Sequence, residues 1–233
     1  MAHRTRALAL AGVAVVTALH LGASPQPQAA AAKRPIYITL QDGLLKVDAK
    51  RGTAKHIVIA NDGANFIVIF DRGRWPIEVK PPLTGWWTVL NNVVFKSTTY
   101  GVRGIDVSAG DGDDILSSYG SSMPTRMYGG SGDDVLYGGT GKDTLVGGSG
   151  GDKLYARGSA GDLLSGGEGN DGLYGGEGPD WLKGGAGIDS SDGKGGTDQC
   201  EAEHEIFCEA ELSLNPNPNP VPPPDIPFSR SPD

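Results

Sequence analysis

Nine aspartates punctuate this 233-residue chain between residues 114 and 198: Asp114, Asp134, Asp143, Asp152, Asp162, Asp171, Asp180, Asp189 and Asp198. From Asp134 onward they recur every nine or ten residues. If two such intervals complete one coil, turns eighteen residues apart lie above one another. One column then holds Asp134, Asp152, Asp171 and Asp189, and a second holds Asp143, Asp162, Asp180 and Asp198. Carboxylates ~5 Å apart repel by roughly 1–3 kcal/mol per pair. A divalent cation between successive turns converts that repulsion into attraction. Calcium (Ca2+) suits such a site, because it takes about 6–8 oxygen ligands in flexible geometry, which turn carbonyls can help supply. Magnesium demands a tighter octahedron and sheds its water reluctantly.

The elements that must position these carboxylates are spelled in lines of nine. Gly129-Gly130-Ser131-Gly132-Asp133-Asp134-Val135-Leu136-Tyr137 is one line, and Gly138-Gly139-Thr140-Gly141-Lys142-Asp143-Thr144-Leu145-Val146 is the next. Lines starting at Gly147, Gly166 and Gly175 repeat the pattern G-G-x-G-x-D-x-L-x. Glycine adopts left-handed backbone angles without steric cost, so three per line predict a sharp loop. The last three positions of each line predict a short strand whose middle residue points inward. Stacking would bury Leu136, Leu145, Leu154, Leu164, Leu173 and Leu182 as a ladder. A short fixed period of this kind signals a solenoid.

The array from Gly129 to Asp198 closely resembles the haemolysin-type calcium-binding (RTX) repeats. The resemblance implies an all-β parallel β-roll, or β-helix, that binds calcium ions through its aspartates and folds on binding them. Upstream, Asp106-Val107-Ser108-Ala109-Gly110-Asp111-Gly112-Asp113-Asp114 is similar to the junction that precedes the array in secreted actinobacterial proteins of this kind. The competing reading is a flexible Gly-rich linker, but a linker has no reason to keep Asp and Leu in register.

The spelling frays in places. Residues 109–117 form a line with alanine for the first glycine, and residues 118–128 read as a line that kept its strand but lost its aspartate. A pairing of Asp114 with Asp134 stays open across that insertion. The line 156–165 has ten residues, with Arg157 and Ala160 where glycines belong, and Arg157 is expected to bring a positive charge near its column. The line from Gly184 has Ser191 in the leucine slot, and the strand is expected to be lost from Gly193 onward.

Five segments follow from composition. Residues 1–32 read as an export signal: Arg4 and Arg6, an apolar run from Ala7 to Gly22, and small residues at 29–32. That run is short for a membrane span, and localisation is expected to be extracellular. Residues 33–108 alternate apolar runs with Asp-Gly and Arg-Gly turns, predicting a β-rich N-terminal cap, either continuous with the solenoid or a separate small sandwich. Residues 109–199 are the repeat roll, and 200–211 a cap closed by Cys200 and Cys208. Residues 212–233 are a Pro-rich tail. No substantial helix is expected in the mature chain.

The two cysteines of an exported chain favour a disulfide. A zinc site adding His204 lacks a fourth ligand. The net charge is −8, with twelve acids against five bases between residues 129 and 198, so nucleic acid is disfavoured as a partner. Histidine occurs only at 3, 20, 56 and 204, and no nucleophile elbow or phosphate loop is present. His56 reads as a surface or packing residue, and the chain reads as non-catalytic. Two readings remain: an extracellular calcium-binding structural module with an unidentified matrix or cell-surface partner, or a small secreted carbohydrate-binding protein or hydrolase whose site lies in residues 35–108, around Trp86 and Trp87.

Overall fold

The computed structural model describes residues 36–49, 56–61, 67–71, 77–80, 87–90, 93–96 and 102–208. The expected export signal, Trp86 and the Pro-rich tail lie outside them. Among the described residues the regular structure is entirely β. The first strands are β1 (Ile36–Gln41), β2 (Leu44–Asp48), β3 (His56–Asn61), β4 (Ile67–Asp71), β5 (Ile77–Val79), β6 (Trp87–Leu90) and β7 (Val93–Lys96). From β8 (Gly104–Asp111) and β9 (Ile115–Ser117) the chain settles into a repeating alternation. It continues through β10 (Thr125–Ser131), β11 (Val135–Tyr137), β12 (Thr144–Ser149), β13 (Lys153–Tyr155), β14 (Leu163–Glu168) and β15 (Gly172–Tyr174). It ends with β16 (Trp181–Ala186), β17 (Ser190–Asp192), β18 (Gln199–Glu201) and β19 (His204–Ile206).

Two sheets result. One runs β18-β16-β14-β12-β10-β8-β2-β1-β5, the other β19-β17-β15-β13-β11-β9-β3-β4-β7-β6. Each coil gives one strand to each sheet, and neighbouring coils pair in parallel, as a β-roll requires. The register fixes the core. Met127, Leu145, Leu164 and Leu182 align in the first sheet, and Leu116, Leu136, Leu154 and Leu173 in the second. All eight are fully buried. The expected single ladder is therefore two facing ladders, one per sheet. Met127 shows what the eleven-residue line retained: its strand and its inward apolar residue.

The strands are not all short. Within the repeats the strands of the second sheet have three residues, as in β11, but in the first sheet β12 runs six residues through Gly147-Gly148-Ser149. Alternate lines thus use their leading glycines as strand rather than as turn. The loss of strand expected after Gly193 is also corrected. β18 pairs with β16, and Cys200 takes the ladder position below Leu182. Backbone pairing needs no particular side chain, so the coil persists where the leucine code stops.

At the other end the same two sheets pass into residues 36–96. β2 and β3 pair in parallel with β8 and β9. Ile38, Val47 and Val107 extend the buried row toward Met127. Beyond them pairing turns antiparallel, β1 against β2 and β3 against β4. Antiparallel hairpins cover the edge of a parallel stack, which would otherwise offer unpaired backbone to a second chain.

Candidate metal centre

The turns stack the aspartates in the two expected columns, joined by a ladder of backbone-to-carboxylate bonds. In the first, the Asp114 amide donates to Asp134 Oδ1 at 2.7 Å, Asp134 to Asp152 and Asp152 to Asp171 at 2.8 Å, and Asp171 to Asp189 at 2.9 Å. In the second, Asp143 donates to Asp162 at 2.7 Å, Asp162 to Asp180 at 2.8 Å and Asp180 to Asp198 at 2.9 Å. All nine are buried, at 0–3% exposure. Asp114 heads the first column despite the eleven-residue insertion. The second is headed by Thr125, whose amide donates to Asp143 at 2.9 Å. Thr125 occupies the slot from which the aspartate was lost.

From Asp134 onward each carboxylate accepts an amide of the coil before it with one oxygen, and the second oxygen meets different surroundings. Oδ2 of Asp134, Asp152, Asp171 and Asp189 is buried with no hydrogen-bond partner. It points into space that the first glycine of the line leaves open: a methyl group on Gly147 would collide with Asp152 Oδ2. In the second column Asp143 Oδ2 accepts the Gly139 amide and Asp180 Oδ2 the Gly176 amide, both at 2.6 Å. Asp162 does not share that pattern: its Oδ2 is again buried without a hydrogen-bond partner.

The glycines differ accordingly. Gly148 has φ +129°, and Gly130, Gly132, Gly150, Gly167, Gly169, Gly185 and Gly187 share its left-handed side of the map. Gly139 does not; it is glycine because a Cβ there would meet the Ser121 carbonyl oxygen of the neighbouring coil. The expectation of left-handed glycines in every line is thus corrected: the lines 138–146 and 175–183 have none, while Gly158 and Gly196 supply one each in the lines 156–165 and 193–200. The same letters serve backbone conformation in one turn and close approach in the other.

Burial is the leading cause that raises these acids. It pushes Asp134 and Asp162 up to about 7, and Asp143 and Asp152 up to about 6, from an ordinary 3.8. Amide donors oppose the rise. Charges in the same column add to it: Asp114 and Asp152 act on Asp134, and Asp143 and Asp180 on Asp162. Asp171 and Asp180 are raised for the same first reason. Repulsion between stacked carboxylates ranks behind desolvation. Removal from water penalises a charge before any neighbour is counted.

The donor set consists of oxygens. Among the described residues no group of three or more His, Cys, Asp or Glu gathers closely enough to hold a metal ion. A cation held between coils would meet two carboxylates of one column and would need backbone carbonyls to complete its shell. Buried unpartnered carboxylate oxygens facing a glycine cradle fit a hard cation such as calcium and do not suit a thiophilic metal.

Several side chains change role in three dimensions. Arg157 does not approach the aspartates; its guanidinium lies over the rings of Tyr119 and Tyr137, 4.9 and 5.1 Å from their centroids. The cation acting on Asp162 is Lys142. Tyr137, Tyr155 and Tyr174 stack on the outer face at 4.9 and 4.7 Å, which the ninth position of alternate lines encodes. Outside the first column a second ladder was missed: Asp113 Oδ1 accepts the Asp133 amide, Asp133 Oδ1 the Gly151 amide and Asn170 Oδ1 the Ile188 amide. It explains the doubled acids at 113–114 and 133–134. Glu203, also missed, accepts the Asp189 amide.

Cys200 and Cys208 form a disulfide with Cα atoms 5.8 Å apart, which occupies both sulfurs and removes the zinc alternative. The bridge ties β18 to the residue that follows β19 by two. His56, at the start of β3, pairs with Ile115 and is half-buried. Trp87 opens β6. Among the described residues no helix is long and apolar enough to cross a membrane.

A family model, the RTX calcium-binding nonapeptide repeat (4 copies), matches residues 119–154, 157–191 and 165–200. Comparison with curated proteins and with solved structures finds no match.

Proposed function

We propose that the chain is an exported, non-catalytic structural protein whose roll is completed by calcium outside the cell, a reading supported by the match of residues 119–154 and 157–200 to the RTX calcium-binding nonapeptide repeat. The supporting observation is the file of buried Oδ2 atoms on Asp134, Asp152, Asp171 and Asp189, each without a hydrogen-bond partner. Such an oxygen costs a few kcal/mol unless something positive meets it. A bound calcium ion supplies that charge. The chain does the rest: the amide ladder orients each carboxylate, the glycines keep the approach open, and the leucine rows hold the coil spacing. Site residues are Asp114, Asp134, Asp152, Asp171 and Asp189 in one column and Asp143, Asp162, Asp180 and Asp198 in the other.

The two columns should differ in affinity. In the first, Oδ2 of Asp134, Asp152, Asp171 and Asp189 has no hydrogen-bond partner to release. In the second, Asp143 and Asp180 must release the Gly139 and Gly176 amides. The basic start and apolar run of residues 1–22 support export to where calcium is abundant. There, binding energy becomes folding energy. A matrix or cell-surface contact is the role such a module suits.

Calorimetric titration of the full chain tests this. Several ions per chain, in a tighter and a weaker class, with magnesium competing poorly, is the expected result. One ion or none would overturn the column assignment.

A further inference from the structure

The first aspartate column runs one residue further than its nonapeptide spelling. The Asp189 amide donates to Glu203 Oε2 at 2.8 Å, the same bond that the Asp171 amide makes to Asp189. Glu203 therefore stands where the next aspartate of the column would stand. It follows Asp189 by fourteen residues instead of eighteen, and it lies beyond the repeats matched at 165–200. Its carboxylate is held below the usual range, first by the Asp189 amide. The rung above it is prepared: Asp189 is 1% exposed, and its Oδ2 is buried without a hydrogen-bond partner. Gly184 carries no Cβ to fill the space beside that oxygen. The segment is fixed on both sides, by pairing of His204 with Ser190 in β19 and β17 and by the Cys200–Cys208 bridge.

We propose that Glu203 is the terminal ligand of the first column, closing with Asp189 a further divalent-cation site that the nonapeptide motif does not encode. This rests on reading the columns as calcium sites. Glutamate suits the position because the chain has left its eighteen-residue period, and one extra methylene lets a side chain from a shortened coil reach the column. Two carboxylates and backbone carbonyls are oxygen donors of the kind calcium accepts. Glu203 is exposed whereas the interior rungs are buried, so this site exchanges with solvent most readily.

The test counts calcium ions per full-length chain by equilibrium dialysis and elemental analysis. Glu203→Gln keeps an oxygen for the Asp189 amide but removes the charge, and should bind one ion fewer than the parent. Glu205→Gln should leave the count unchanged, since Glu205 Oε1 accepts the Ala202 amide and not an amide of the aspartate column. An unchanged count in Glu203→Gln overturns the proposal. So does loss of every ion, because a terminal ligand serves one site. If the parent chain itself binds no calcium, the column reading fails, which is a different result from a parent that binds ions and a variant that loses none.

Discussion

Asp171→Asn separates the two states of the first column by the sign of its effect. Asp171 lies between Asp152 and Asp189, joined to both by the amide ladder. Strand spacing sets its neighbours ~4.8 Å away along the stack. Without calcium, each neighbouring charge opposes it by roughly 1–3 kcal/mol, so two neighbours amount to about 2–6 kcal/mol at full ionisation. Asparagine removes both terms and keeps an oxygen for the Asp152 amide. It also buries an amide group in place of Oδ2, which costs about 1–3 kcal/mol if unpaired. The net effect in chelator at pH 8 is stabilisation by about 1–3 kcal/mol, a rise in Tm of several degrees. In calcium the sign reverses. The substitution damages the gaps on both sides of Asp171, and each ion lost at a hundredfold excess over its Kd withdraws about 2.7 kcal/mol. Thermal unfolding by circular dichroism, on parent and variant in chelator and in calcium, reads all four values. If the parent shows no cooperative transition in chelator, the variant should gain one. Equal destabilisation in both buffers would refute the charge argument and leave Asp171 with a purely structural role.

Three further outcomes are expected. In chelator, stability should fall as pH rises from about 4 to 7. The folded-state values of about 6 to 7 for Asp134, Asp143, Asp152 and Asp162 exceed the ordinary 3.8, so the folded chain binds more protons than the unfolded one across that window. In calcium the slope should be opposite, since binding requires the ionised carboxylates; melting curves against pH that slope alike in both buffers would contradict the assignment. Leu154→Ala, at the centre of the second-sheet ladder, should cost about 2–5 kcal/mol in calcium by denaturant titration. Gly148→Ala should cost more than about 1 kcal/mol, because φ is +129° there and the added methyl meets the Gly130 carbonyl; a neutral result would mean that turn is not built as described.

Much of this architecture is legible in the letters because a solenoid repeats its contacts at the period of its sequence. Counting by nine places Asp134 over Asp152 and Leu136 over Leu154, and the structure puts them there. What the letters do not carry is the difference between alternate turns. Gly139 and Gly148 occupy the same slot of the motif, yet one needs only room and the other needs both room and its positive φ. That difference accompanies whether an aspartate has a free oxygen, as Asp152 does, or accepts amides with both, as Asp143 does. Relative burial is equally silent in a string, so desolvation could not be ranked over repulsion. Arg157 was expected at the column because its slot belongs to the turn; tyrosines from two other coils draw it outward. Glu203 escaped because a shortened coil breaks the count while the ladder continues. The N-terminal segment carries no period, so alternation could predict its strands but not their parallel junction with the roll at β2 and β3.

The most direct test is order as a function of calcium. Circular dichroism of the full chain, in excess chelator at pH 8 and after calcium is restored, should show β signal and a cooperative melt gained on adding the metal. Magnesium at the same concentration should reproduce little of it. A chain as ordered in chelator as in calcium, with spectra and melting unmoved by the ion, would mean that the buried carboxylates are tolerated without a cation and that the repeats here are structure alone.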